Sequence, residues 1–192
     1  MGSSRSRFFG PANGGLILDD ELLEPGVFRI DHDQRFQQTS FVRYQYKKGP
    51  WAAFTWRYDN GLVAGAAAAE EDVFALTGAK QTAMGLYCGG VFATPLTPIT
   101  ECSQPLQATR VKIPAPGTFD PDHNPARIAP RHLFNVSVGT DNLLNKERFR
   151  TTLKFTVVNL TNKVALYNFL STFSGTHFVT PRSYTAEIGF TF

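Results

Sequence analysis

The sequence predicts an all-β protein: part of an antiparallel transmembrane β-barrel, with about five long strands and long extracellular loops. Three observations predict it. The chain ends in RSYTAEIGFTF (182–192), where Tyr184, Ala186, Ile188, Phe190 and Phe192 fall on one side of a period of two, and Thr185, Glu187, Gly189 and Thr191 on the other. A strand has that period, so this is one apolar and one polar face, finished by a terminal aromatic. Four further segments repeat the alternation. Finally, Phe occurs 17 times and aromatics make up 13% of the chain, in keeping with the aromatic girdles of membrane barrels.

In a water-soluble protein, a bare Phe ending a strongly apolar strand face would leave exposed apolar area and an unpaired edge. A barrel wall meets lipid outside and water inside, and there the pattern has a use. The hydrophobic fraction of 42% looks ordinary, because transmembrane strands alternate and keep their mean hydropathy near that of a globular domain. No run of 18 apolar residues occurs, which excludes a transmembrane helix. A net charge of +3, evenly spread, gives no argument for a nucleic-acid partner. At 192 residues the chain suffices for one domain or a barrel of about eight strands.

The opening MGSSRSRFFG has basic residues but no continuous apolar stretch of a secretory signal, so Met1 is expected to be an internal start or to open a truncated gene. Residues 1–34 read as a loop or irregular segment rich in Gly, Pro, Asp and Asn, with a short turn of helix near 19–23. The barrel portion is expected over 35–192. In RFQQTSFVRYQYK (35–47), Val42, Tyr44 and Tyr46 oppose Gln37, Thr39, Arg43, Gln45 and Lys47, with Phe41 out of phase. After a tight turn at 48–50, WAAFTWRYD sets Ala52, Phe54, Trp56 and Tyr58 against Ala53, Thr55, Arg57 and Asp59. Two such runs make a hairpin.

The period then vanishes over 60–130, which is read as a long external loop; a loop of that length is expected to be functional. Thr77 is placed to cap a short helix over 79–87. Cys88 and Cys102, the only cysteines, read as a disulfide formed in an oxidising compartment in preference to two free thiols. Such a bridge would stabilise its loop by about 3 kcal/mol. Alternation returns in RHLFNVSVGTD (131–141), where Phe134, Val136 and Val138 oppose Asn135, Ser137 and Gly139. In FRTTLKFTVVN (149–159), Phe149, Leu153, Phe155 and Val157 oppose Arg150, Thr152, Lys154 and Thr156. A second loop over 159–181 leads to the final strand.

Parity supports this order. With Phe192 on the periplasmic side, the loops 60–130 and 159–181 lie outside and the short turns 48–50 and 141–148 inside, as in outer-membrane barrels. The same count places Tyr46, Trp51, Phe149, Phe190 and Phe192 near one interface, as a periplasmic aromatic girdle.

The run FTVVNLTNK (155–163), followed by a loop, PRSY (181–184) and a strand ending in Phe192, resembles the closing two strands of TonB-dependent outer-membrane receptors. Those show an Asn-Leu-Phe-Asp type corner, then Pro-Arg and a last aromatic-terminated strand; here Thr161 and Asn162 stand where Phe and Asp are frequent. Residues 131–142 resemble the strand before that corner. The resemblance implies a C-terminal barrel fragment of a protein of about 22 strands, in the outer membrane of a Gram-negative-type bacterium. Its partners would be outer-membrane lipid, the barrel assembly machinery and, through a plug domain outside this chain, TonB. Tyr184, Ile188, Phe190 and Phe192 would then be the assembly signal, recognised by strand addition. The implied activity is import of a scarce ligand of the siderophore, cobalamin or oligosaccharide class, with Phe74, Tyr87, Phe92 and Phe119 of the long loop as ligand-facing candidates.

Other chemistry finds little footing. Asp31, His32 and Asp33 read as a solvated loop, since neighbours on a strand point to opposite faces. The calcium-loop-like start at Asp120 fails, with Pro125 and Arg131 where Gly and Glu are needed. No phosphate loop, nucleophile elbow or HExxH occurs. No catalytic, cofactor or metal residues are therefore assigned, and an enzyme is not expected. Glu187, among Arg43, Arg57, Arg150 and Lys154, reads as a solvated inner-wall residue. Two alternatives stand beside the receptor: a small autonomous barrel or adhesin, and a secreted β-sandwich binding glycans, in which Val42, Tyr44, Phe54, Trp56, Phe155 and Ile188 would pack against a second sheet.

Overall fold

The structure, a computed structural model, describes residues 5–7, 27–29, 33–47, 49–65, 70–120, 123–144, 149–171 and 174–191. Among the described residues it is mostly β, with 51% strand and 8% helix, and no helix there is long and apolar enough to cross a membrane. The helical turn expected near 19–23, Asp31, His32 and the terminal Phe192 lie outside the described residues.

In chain order the elements are β1 (Arg5–Arg7), β2 (Val27–Arg29), β3 (Gln37–Gln45), β4 (Pro50–Asp59), α1 (Glu70–Ala75), α2 (Gly78–Met84), β5 (Leu86–Cys88), β6 (Val91–Phe92) and β7 (Gln107–Ala108). There follow β8 (Val111–Lys112), β9 (Arg127–Ile128), β10 (Arg131–Thr140), β11 (Arg150–Val158), β12 (Leu166–Ser171), β13 (Gly175–Phe178) and β14 (Ser183–Thr191). The five alternating segments are β3, β4, β10, β11 and β14. They form one antiparallel sheet in that order, a meander whose edges are β3 and β14. Among the described residues no sheet closes on itself.

Two compact units divide the chain. One holds this sheet (residues 36–60, 130–165 and 178–192); the other gathers 1–35, 61–129 and 166–177. The second unit corrects three expectations. Residues 60–130, expected to be a long loop with one short helix, carry among the described residues two helices and five short strands around a core of Leu62, Val73, Met84, Leu86, Val111, Ile128, Leu166 and Phe169. Within 1–34, Arg5–Arg7 pairs antiparallel with Val27–Arg29. Asp33 is buried and bound by Arg127 Nη2 at 2.9 Å, and so is no solvated loop residue. None of this shows as a period, because strands of two or three residues are too short to alternate.

The helix expected over 79–87 ends at Met84, because Gly85 takes the left-handed conformation (φ 70°) that closes a helix. Thr77 occupies the N-cap position, but its hydroxyl makes no cap bond. Instead, Arg110 Nη1 donates to the Thr82 and Ala83 carbonyls at 3.0 Å each, satisfying the helix's C-terminal end. Buried Gln81 binds Val73 O and Ile99 O through Nε2, and Ile99 N through Oε1. That amide ties α2 to the chain that follows it.

Candidate functional site

The register of the five-stranded sheet sorts its side chains into two unlike faces. One carries the cross-strand rows Val42, Phe54, Val136, Val157, Tyr184 and Tyr44, Ala52, Val138, Phe155, Ala186, with Thr140, Leu153, Ile188 beyond them. The other carries Arg43, Ala53, Ser137, Thr156, Thr185 and Gln45, Trp51, Gly139, Lys154, Glu187. Among the described residues the apolar face stands largely exposed: Tyr44 is 67% exposed, Ile188 63% and Phe155 43%. Moving a Val, Leu, Ile or Phe side chain out of water is favourable by roughly 1.5–3 kcal/mol. Left in water, a face of this size would cost on the order of 10 kcal/mol, comparable with the whole stability of a domain.

The apolar rows are bounded by aromatics at both ends. Beyond Phe54 stand Phe134, Trp56, His132, Tyr58 and Phe36, in stacked or tilted ring contacts at centroid distances from 4.8 to 6.5 Å that centre on His132. Trp56 Nε1 donates to His132 Nδ1 at 3.1 Å. This cluster, unassigned from sequence, was readable from the even positions of β4 and β10. At the opposite end Phe149 and Phe190 stack at 5.8 Å beside the β14 edge, and Tyr46, just past β3 at the other edge, is exposed. Trp51, expected in that girdle, belongs to the polar face. Its indole donates to Asp141 Oδ1 at 2.9 Å, and the Arg43 guanidinium lies 4.4 Å from its ring centroid. It reaches there because Gly139 opposite has no side chain: a Cβ would meet the Trp51 ring at 2.7 Å.

The polar face is knitted by short pairs. Arg43 binds Asp141 at 2.7 Å, Lys154 binds Glu187 at 3.0 Å, and the Ser137 and Thr156 hydroxyls meet at 2.9 Å. Glu187 is thus held by Lys154, and Arg43 and Arg57 pair with Asp141 and Asp59. At the head of β4 and β10, Asp59 accepts from Arg131 Nε at 3.1 Å and also pairs with Arg57.

The NLTN corner is a built turn. Asn159, buried and at φ 51°, donates through Nδ2 to Lys163 O and Thr180 O at 3.0 Å each and accepts from Lys163 N at 2.8 Å. Asn162, also at φ 51°, accepts from Arg182 N at 3.1 Å. Asn tolerates this backbone conformation where most residues do not. The corner thereby fixes the entry to β14.

In the second unit, Cys88 and Cys102 are joined in a disulfide, with their Cα atoms 5.9 Å apart. Of the four aromatics expected to face a ligand, the structure brings two together: the Tyr87 and Phe92 rings lie 5.0 Å apart on paired strands. Phe92 and Phe119 are exposed, whereas Phe74 in α1 is half-buried. Among the described residues no group of three or more His, Cys, Asp or Glu is placed to hold a metal. Tyr184, Ile188 and Phe190 lie along the exposed apolar side of the edge strand β14. Comparison of the chain with protein-family models, with curated proteins and with solved structures finds no match.

Proposed function

We propose that this chain is the C-terminal part of a TonB-dependent receptor barrel, seated in the outer membrane of a Gram-negative-type bacterium and taking part in the import of a scarce ligand. The observation that carries the reading is the exposed apolar face of the five-stranded sheet, set back to back with a polar, ion-paired face. In this reading lipid covers the exposed apolar face, and water meets Lys154 and Glu187. From Tyr58 to Pro50, β4 spans roughly 26 Å along its axis. Tilted by about 40°, that projects to roughly 20 Å, close to the lipid-facing band of about 25 Å in such barrels.

The sheet edges support a larger wall. Four successive antiparallel pairings make β3 and β14 run in the same direction, so closure by antiparallel neighbours alone takes an odd number of further strands. A wall of about 22 would need about 17 more. In this reading the disulfide-braced insert between β4 and β10 is the external surface, and the tail through Tyr184, Ile188 and Phe190 to Phe192 is the signal for the assembly machinery.

The native tryptophans give the test, since Trp56 belongs to the apolar face and Trp51 to the polar one. With the full chain reconstituted in bilayers, lipid brominated near the carbonyl region should quench Trp56 in the Trp51→Phe variant and spare Trp51 in Trp56→Phe. Equal quenching of both, or of neither, contradicts the proposal.

A further inference from the structure

Strands β6, β5 and β7 form a small antiparallel sheet whose register sets Phe92, Tyr87 and Gln107 side by side in one cross-strand row. The neighbouring Leu86 points the other way and is fully buried in the core. The row is therefore the outer side of a sheet whose inner side is anchored. Phe92 is 55% exposed. The Tyr87 hydroxyl donates to the Gln107 amide oxygen, which leaves the Gln107 amide N–H groups to donate elsewhere. A second amide, Gln104, stands over Gly89 at the β5–β6 turn, and the disulfide from Cys88, next to Tyr87, holds the arrangement in place.

Charge decides what such a surface accepts. Between Leu86 and Ala108 the only charged residue is Glu101. An anionic ligand would find no cation in this segment, and a cationic one only a single carboxylate. Two aromatic rings flanked by amide donors complement a ligand with a C–H-rich face and neutral hydroxyls at its rim. We infer that the Phe92, Tyr87 and Gln107 row is a stacking platform for an uncharged oligosaccharide. The inference rests on the reading of this insert as the receptor's external surface and names the ligand class left open there.

The test is saturation-transfer NMR on the full chain in an amine-oxide detergent, which carries no sugar head group. The probes are maltohexaose, cellohexaose and xylohexaose, with hexagalacturonate as the anionic counterpart. At least one neutral hexasaccharide should bind. Phe92→Ala and Tyr87→Ala should weaken that binding at least about tenfold, ~1.4 kcal/mol, while Phe92→Trp and the off-row Val91→Ala retain it. Retention of the disulfide in each variant, read by mass under non-reducing conditions, shows that the insert has folded. Absence of binding by all three neutral sugars, equal binding of hexagalacturonate, or wild-type affinity in Phe92→Ala overturns the inference. Lipid quenching of Trp56 is read independently, so a platform that fails beside a quenched Trp56 leaves the barrel proposal standing.

Discussion

Asp59 and Arg131 face each other directly across β4 and β10, joined Nε to Oδ2 at 3.1 Å, with side chains 0% and 1% exposed. Arg57 Nε lies 3.1 Å from the same carboxylate oxygen, so one buried acid serves two guanidinium groups. Removing the acid alone strands a buried charge. Asp59→Asn should therefore destabilise the chain by about 3–5 kcal/mol. The double variant Asp59→Leu with Arg131→Leu should cost less, because the fully buried pair is gone and only Arg57, 37% exposed, is left without its acid. Urea unfolding followed by Trp56 fluorescence reads both; wild-type resistance in Asp59→Asn contradicts the assignment.

The Lys154 and Glu187 pair gives the opposite expectation. At side-chain exposures of 41% and 56% it is screened by water, and exposed pairs contribute about 0–1 kcal/mol. Lys154→Ala should shift the unfolding midpoint only slightly, and added salt should erase even that. A loss above about 2 kcal/mol would mean that this face is dry.

Asn159→Ala removes three side-chain hydrogen bonds and leaves a Cβ residue at φ 51°. At about 0.5–1.5 kcal/mol for each net bond, a loss of roughly 2–4 kcal/mol follows. Proteolysis should then enter between 160 and 181 first, whereas Asn159→Gly, which keeps the backbone unstrained, should be milder. Identical cleavage rates in all three proteins would show that the corner is not held by this side chain.

Reduction of the Cys88–Cys102 bridge, or the paired Cys88→Ser and Cys102→Ser change, should loosen the insert by about 3 kcal/mol. Hydrogen exchange should speed up over 86–108 and stay unchanged in β10 and β11. Uniform acceleration across the chain would count against a separately folded insert.

The sheet was legible because β3, β4, β10, β11 and β14 each run nine or ten residues, long enough for a period of two to stand out. The insert was not. Its core joins Leu62 and Val73 to Leu166 and Phe169, residues far apart in sequence and without a shared period. The Asp33 and Arg127 pair spans 94 positions, and nothing local marks either partner. Trp51 was misplaced because strand height was counted without strand face; its odd position in β4 already put it with Arg57 and Asp59. Gly85 was the unread stop signal of α2. The row of Phe92, Tyr87 and Gln107 needed the β5 pairings, which no spacing in the sequence discloses.

The central claim, that the Val- and Phe-bearing face meets lipid and the Lys-bearing face meets water, is tested most directly by a nitroxide scan along β11 in bilayers. Single cysteines at 152 to 157, labelled while the native disulfide stays intact, are compared for collision with oxygen and with a water-soluble nickel chelate. The account predicts oxygen maxima at Leu153, Phe155 and Val157, and nickel maxima at Thr152, Lys154 and Thr156. In-phase profiles, or nickel access at Phe155 equal to that at Lys154, would contradict it.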